Sequence, residues 1–225
     1  MKQPQLFDEW PETYDQWFTT PIGSLVRKYE SELIRELLNP APGDRVLDGG
    51  CGTGVFTPDF LASGSRVMGL DLSFPMLTRS MKKLCGTPFQ AFQGDLLALP
   101  FKDQTFDQSV SITALEFIRD GEKALRELFR VTKPGGTVVV ATLNRLSPWA
   151  ERRSEAAKKG HPIFRHAIFR SPEELLALRP EKGTLRTAVH FEKEDPPEKA
   201  VEKEEEGRIQ GSKTGAFIAV AWEKT

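Results

Sequence analysis

Apolar positions fall along the chain in two alternating rhythms, one with a helical period and one of short continuous runs. Residues 24–38, SLVRKYESELIRELL, put Leu25, Val26, Tyr29, Leu33, Ile34, Leu37 and Leu38 on one helical stripe. Pro40 and Pro42 end that helix, since proline lacks the N–H and clashes with the preceding turn. DRVLDGG then reads as a strand, GCGTG as a turn and VFTPDFLAS as a helix. Pro58 falls early in that helix, where its missing N–H costs least. SRVMGLDL predicts a second strand and SFPMLTRSMKKLC a helix capped by Ser73. PFQAFQGD gives a third strand, QTFDQSVSIT a fourth, DGEKALRELFRVT a helix and GTVVVATLN a fifth strand. Strands separated by helices of this length imply parallel β-α-β units covered on both faces. TLRTAVHFEK and TGAFIAVAWEK alternate with no helix predicted between them, as an antiparallel pair at the sheet edge does. The predicted class is α/β, an open twisted sheet with an added hairpin.

Composition narrows the setting. A chain of 225 residues suits one domain. Its 39% hydrophobic and 28% charged residues are those of an ordinary globular protein. A net charge of −1 gives the whole molecule no pull towards nucleic acid or an acidic membrane. Two cysteines, Cys51 and Cys85, make no disulfide framework, so a reducing cytoplasm is the expected compartment. The N-terminal MKQPQLFDEWPETYDQW has acids and no apolar core, unlike a signal peptide, and no run reaches the roughly 18 apolar residues of a membrane span. Residues 192–206, EKEDPPEKAVEKEEE, hold eight acids and three lysines around a Pro-Pro pair. The expectation there is a solvated loop or hairpin tip, with an acidic binding tail as the sharper alternative.

The candidate chemistry begins at Val46-Leu47-Asp48-Gly49-Gly50-Cys51-Gly52-Thr53-Gly54, where a strand ends, glycines alternate through a turn and a helix starts. Glycine suits a turn with unusual backbone angles and lets a ligand approach bare backbone, while the helix start offers free N–H groups. Asp71 ends the second strand, where a carboxylate can accept from both hydroxyls of a ribose, and Asp95 ends the third, within reach of an adenine edge. Either acid alone also reads as a helix cap or turn residue. Three successive strands delivering polar groups to one sheet edge are hard to explain by packing.

DRVLDGGCGTG resembles the first motif of class I S-adenosylmethionine-dependent methyltransferases. GLDLS is similar to their acidic strand end, GDLLALPFKDQTFDQSVS to their adenine segment and fourth strand, and ELFRVTKPGGTVVVATLN to the helix, Pro-Gly-Gly turn and fifth strand. The likeness covers about residues 40–145 and is nearest to the type 11, ubiquinone/menaquinone-biosynthesis-like branch. It implies a Rossmann-like, seven-stranded, mostly parallel sheet with an antiparallel C-terminal strand and helices on both faces. It also implies S-adenosylmethionine as cofactor, leaving S-adenosylhomocysteine. By position, Asp48, Gly50, Gly52 and Gly54 are expected around the methionine moiety, Asp71 and Leu72 at ribose and adenine, Asp95 and Leu96 beside adenine, and Thr113 near the methionine end. YDQWFTTPIG resembles a lead-in helix folding over the cofactor, which makes Tyr14, Trp17 and Phe18 candidates to shield the sulfonium. The same residues also read as a hydrophobic anchor, and Arg27 and Tyr29 are weaker candidates for the cofactor carboxylate. Gly49 stands where the family has a larger apolar residue, and Glu116 replaces a His common in this branch. The single domain divides into cap helices (1–40), a cofactor-binding core (41–145), a substrate lid (146–180) and a C-terminal hairpin (181–225).

Methyl transfer from a sulfonium needs alignment and dryness more than a nucleophile. The catalytic base is open: Glu116, His161 and His166 are candidates, each equally readable as a packing or surface residue. His161 and His166 lack metal-ligand spacing, so no metal is expected. Residues 145–170 carry seven Lys or Arg against two acids, with Trp149, Phe164 and Phe169 interleaved. Such a lid suits a planar or anionic small-molecule acceptor, against a plain amphipathic surface segment. SITALEF after the fourth strand is not the N-P-P-Y of base-flipping adenine methylases, and no Pro-Cys nucleophile is present, so nucleic acid is not the expected substrate. Two readings compete. A nicotinamide-dependent dehydrogenase would need G-x-G-x-x-G rather than the G-x-G-x-G seen here, and a methyltransferase-like partner protein would keep the fold without the activity.

Overall fold

The computed structural model describes residues 4–225, so residues 1–3 of the N-terminal segment lie outside the described residues. Seven strands form one sheet: β1 (Arg45–Gly49), β2 (Arg66–Asp71), β3 (Phe89–Gln93), β4 (Phe106–Ile112), β5 (Thr132–Leu143), β6 (Thr184–Ala188) and β7 (Phe217–Glu223). Their order is β3-β2-β1-β4-β5-β7-β6. The first five are parallel, and β7 runs antiparallel between β5 and β6. The chain reverses its direction of travel across the sheet between β1 and β4, which opens a crevice at the carboxyl ends of those strands.

Helices α1 (Pro11–Trp17), α2 (Pro21–Leu38), α3 (Thr57–Ala62), α4 (Phe74–Lys83), α5 (Gly121–Val131), α6 (Pro148–Lys158), α7 (Pro172–Leu176) and α8 (Pro197–Ile209) surround the sheet. The strands divide their side chains between two cores because successive residues point to opposite faces. Val46, Val139, Ala141, Phe217 and Ala219 pack with α2, α3 and α8 on one side. Leu47, Val138, Val140, Ile218 and Val220 pack with α5 and α7 on the other. The α2 stripe is buried as its spacing predicts, with Val26, Tyr29, Leu33, Ile34 and Leu38 inside. Thr20 caps its start by accepting from Gly23 N at 3.1 Å, and Asn39 ends it in the left-handed conformation. Ser73 caps α4 as expected, accepting from Met76 N.

The acidic segment is a correction to the sequence reading. Most of 192–206 is not a loop: α8 covers Pro197–Ile209 and buries Ala200, Glu204 and Gly207. These three positions, at i, i+4 and i+7, make a narrow seam of one face, invisible to an average over a charged segment. Glu204 accepts from His190 N at 2.7 Å and faces His190 Nδ1 at 3.2 Å, so one acid of the run is structural. The connection between β6 and β7 therefore carries a helix rather than a plain hairpin. Helix α6 is pinned beside it by Trp149 Nε1, which donates to Phe191 O at 2.6 Å.

A Cβ added at Gly207 would lie 2.3 Å from His190 Cγ. Gly207→Ala should therefore lower stability by about 1–3 kcal/mol despite alanine's better helix propensity. Glu205→Ala, one turn-face away, should change it by less than about 0.5 kcal/mol; urea unfolding of both variants reads the difference.

Candidate functional site

The glycine turn is held from the neighbouring strand. Gly50 N and Cys51 N both donate to Leu70 O, at 2.6 and 3.0 Å. Gly52 N donates to Asp71 Oδ2 at 2.8 Å, and Ser73 N donates to Asp71 Oδ1 at 2.8 Å. The carboxylate at the end of β2 thus fixes the turn after β1 and keeps one further acceptor site on each oxygen. Burial raises its pKa, and the backbone donors of Ser73 and Gly52 oppose that rise. Gly50, Gly52 and Gly54 all have positive φ. A Cβ at Gly50 would lie 2.4 Å from Ala114 Cβ, whereas one at Gly52 would meet no atom within 4 Å and would stand in the open cleft. Gly54 combines its positive φ with close packing, since Leu84 and Ser80 of the α4 segment lie 3.1 and 3.3 Å from where its Cβ would be. Gly49 is explained too: Leu96 Cδ2 lies 2.8 Å from where its Cβ would be, so Leu96 fills the place of the larger residue.

A cleft of about 290 Å³ opens along these strand ends. Asp48, Gly50, Gly52, Asp71, Leu72, Asp95, Leu96, Thr113 and Tyr14 all line it, and Gly54 does not. Thr57 Oγ1 donates to Asp48 Oδ2 at 2.7 Å, and burial pushes the Asp48 carboxyl up to about 7. Asp95 Oδ1 accepts from Leu97 N at 2.9 Å, while Leu72 is 46% exposed at the rim. Thr113 has φ 48°, a conformation that costs a β-branched residue about 1–3 kcal/mol. Its N–H still bonds Ala141 O at 2.9 Å, and it lines the cleft together with Tyr14, whose pKa burial drives up.

The segment before α2 closes this cleft as a strap. Asp15 on α1 accepts from Thr53 Oγ1 at 2.6 Å, Arg79 Nε at 2.5 Å and Lys83 Nζ at 3.0 Å. Burial raises the Asp15 pKa, but these hydrogen bonds outweigh it and hold the carboxyl below its usual value. Ser73 Oγ adds a bond to Asp8 Oδ1 at 2.7 Å. The turn, α1 and α4 are thereby tied through one carboxylate that the sequence did not single out.

A second cavity of about 500 Å³ adjoins the first, and Phe7, Tyr14, Thr113 and Phe117 line both. Its walls are aromatic: Trp10, Trp17, Phe18, Trp149 and Phe164. Trp17 and Phe18, expected beside the cofactor, line only this second cavity; Trp17 packs edge-on against Trp149 at 6.3 Å and Phe18 against Phe56 at 6.1 Å. Four charged residues also line it: Glu30, Arg152, Arg153 and Lys193. Glu30 is 5% exposed, and burial pushes its carboxyl up to about 8. Arg153 lies over the Trp149 ring at 5.3 Å, its Nη1 buried with no hydrogen-bond partner, and burial lowers its pKa to about 10. Glu30 was legible as an oddity: it stands four residues from both Val26 and Ile34, a carboxylate inside the apolar stripe of α2.

Of the candidate bases, only His161 lines a cavity, stacked on Phe164 at 4.5 Å with Nδ1 accepting from Ile163 N and Phe164 N. His166 is on the surface, where Arg165 Nε donates to it at 3.0 Å. Glu116 is buried outside both cavities: Oε1 accepts from Leu143 N at 2.6 Å and Oε2 has no partner. Arg27 holds Asp59 and Val55 O, and Tyr29 packs on Phe191; neither lines the cleft. Cys51 lines the cleft, but burial pushes its thiol up, which makes it inert. No group of three or more His, Cys, Asp or Glu able to hold a metal occurs among the described residues.

Burial raises the Glu116 carboxyl to about 7. The folded state then binds a proton that the unfolded chain releases near pH ~4.3, so stability falls as pH rises between those values. Glu116→Gln keeps an acceptor for Leu143 N and removes the titration. Its stability relative to the parent should improve by roughly 1–3 kcal/mol between pH 5 and pH 8, read by urea unfolding at both.

Comparison with known proteins agrees with this architecture. The family described as "Methyltransferase domain" matches residues 47–140. Demethylmenaquinone methyltransferase of Streptomyces griseus subsp. griseus is 32% identical over 184 residues, covering 79% of this chain and 78% of that protein. An uncharacterized protein of Methanocaldococcus jannaschii is 30% identical over 222 residues, covering 97% and 98%. The crystal structure of an S-adenosylmethionine-dependent methyltransferase from Thermotoga maritima, described as a possible histamine N-methyltransferase, shares the fold with a TM-score of 0.74 at 23% identity, covering 98% and 99%. No helix among the described residues is long and apolar enough to cross a membrane. The switch-point cleft, the glycine turn clamped by Asp71 and these relatives together make the chain a member of the S-adenosylmethionine-dependent methyltransferases of class I, in the type 11 branch.

Proposed function

We propose that the cleft holds S-adenosylmethionine and that the adjoining aromatic cavity receives a small, planar molecule that is methylated where the two spaces meet. The observation that carries this is the shared wall: Phe7, Tyr14, Thr113 and Phe117 border both cavities. The cleft fits the cofactor on its own chemistry. Gly52 leaves room that a Cβ would fill, and Asp71 retains acceptor capacity for the ribose hydroxyls. In this reading Leu72, Asp95 and Leu96 flank the adenine, while Asp48 and Gly50 take the methionine end. Trp17 and Phe18 belong to the acceptor side.

Bound there, the cofactor supplies a methyl group on a positively charged sulfur. The protein's part is alignment, which can contribute roughly 7–11 kcal/mol, and exclusion of water. Tyr14 and Phe117 place aromatic rings at the junction, groups compatible with a sulfonium. The strap through Asp15 keeps α1 over the site and the reaction dry. The lid of α6 supplies Trp149, Arg152 and Arg153 to the acceptor wall, in line with an aromatic or anionic acceptor. Among relatives, demethylmenaquinone methyltransferases act on a quinone-type ring by name, which agrees with a flat apolar cavity.

Calorimetric titration with S-adenosylhomocysteine, S-adenosylmethionine and NAD tests the cleft. The two sulfur nucleotides should bind and NAD should not. Asp71→Ala, shown folded by circular dichroism, should weaken them at least about tenfold, from loss of charge-assisted hydrogen bonds. Binding of NAD alone would overturn the reading.

A further inference from the structure

The acceptor cavity is lined by a cation and an acid whose hydrogen-bonding capacity the protein leaves incompletely used. Arg153 Nη1 is buried and takes part in no hydrogen bond, although the guanidinium keeps its charge at neutral pH. Its neighbours by charge are Glu30 and Glu116, yet neither forms an ion pair with it. A guanidinium nitrogen buried without a hydrogen-bond partner costs free energy, of which the Trp149 ring at 5.3 Å offsets a part. Glu30, on the opposite element, lines the same cavity, is 5% exposed and makes no side-chain hydrogen bond among the described residues. Arg152 and Lys193 add two further cations to the wall, and Lys193 Nζ lies 5.3 Å over the Trp17 ring.

We propose that Glu30 and Arg153 form a two-sided clamp for a carboxylate carried by a planar aromatic acceptor, and that this clamp decides which molecules enter the second cavity. The inference rests on the reading of that cavity as the acceptor site. The Arg153 guanidinium donates to one carboxylate oxygen, and Glu30, which burial keeps protonated at neutral pH, donates its O–H to the other. Trp149 supports the guanidinium from below, and the remaining tryptophan and phenylalanine walls take the ring. A cationic amine has no place in this arrangement, because the groups at the clamp are a guanidinium and a neutral acid. A tetrahedral dianion would set a third acceptor oxygen against a clamp that matches the two oxygens of a carboxylate.

Ionisation of Glu30 turns a donor into a repelling charge. Arg153 on α6, Glu116 after β4, Arg27 on the same helix and Tyr14 on α1 are the titratable groups that bear on it. Arg153 and Arg27 lower its pKa and Glu116 raises it, with burial dominant and the carboxyl at about 8. Carboxylate binding should accordingly weaken as pH rises through 8.

The cavity carries its own reporter, since Trp10, Trp17 and Trp149 line it and only Trp222 lies elsewhere. Fluorescence titration of the full chain with benzoate, benzamide, benzylamine and phenyl phosphate is the test. Benzoate should quench saturably at pH 6.5 and bind at least about tenfold more tightly than the other three, with Arg153→Met losing about tenfold or more. Glu30→Gln, which keeps a donor, should bind benzoate at pH 6.5 and abolish the weakening between pH 7 and pH 9. Tighter binding of benzylamine or phenyl phosphate, unchanged affinity in Arg153→Met, or no saturable benzoate quenching would each overturn the clamp. Calorimetry with S-adenosylhomocysteine on the same samples separates the two failures: lost nucleotide binding counts against the cleft, and retained nucleotide binding without benzoate binding counts against the clamp alone.

Discussion

The carboxylate of Asp71 is the constraint on which the site depends. It ends β2, yet it accepts from Gly52 N of the turn after β1 and from Ser73 N at the cap of α4. One side chain thereby fixes the backbone of two strand ends and the start of a helix. The positive-φ glycines make that possible, because a Cβ at Gly50 would strike Ala114 and one at Gly52 would fill the cleft. Sheet order does the rest: the switch between β1 and β4 leaves a crevice, and the clamped turn forms its floor.

A second carboxylate, Asp15, extends this order outwards. Its bonds to Thr53, Arg79 and Lys83 bring α1 against the turn and α4. Tyr14, next to it in sequence, is set against Thr113 at the wall between the two cavities. Backbone strain at Thr113 and an unusual Val189, with φ 63°, both border the second, aromatic cavity. Strain retained beside a cavity is what a preorganised site requires, since the surrounding packing must over-determine it.

Much of this was legible in the sequence, and the parts that were not have physical reasons. Every strand and the helices of the core follow from period and punctuation, with Ser73, Pro40 and Pro58 marking boundaries. The glycine turn and the acids at strand ends are local signals, so Asp48, Asp71 and Asp95 were readable as a group, and all line the cleft. Helix α8 was missed because its buried seam is only Ala200, Glu204 and Gly207, too small to stand out against eight acids. Asp15 was missed because its partners lie 38 to 68 residues away and no spacing encodes them. Glu116 drew notice as a substitution in a motif, but it serves the backbone at Leu143 rather than either cavity. Gly54 fitted the glycine pattern and has the positive φ that pattern implies, while packing close to α4 outside the cleft lining.

The most direct measurement is a crystal structure of the chain with S-adenosylhomocysteine. The account predicts the ribose hydroxyls on Asp71, the adenine between Leu72 and Leu96, and the sulfur facing the wall shared by Tyr14, Thr113, Phe7 and Phe117. A sulfur turned away from the aromatic cavity, or the nucleoside lodged within that cavity, would contradict it.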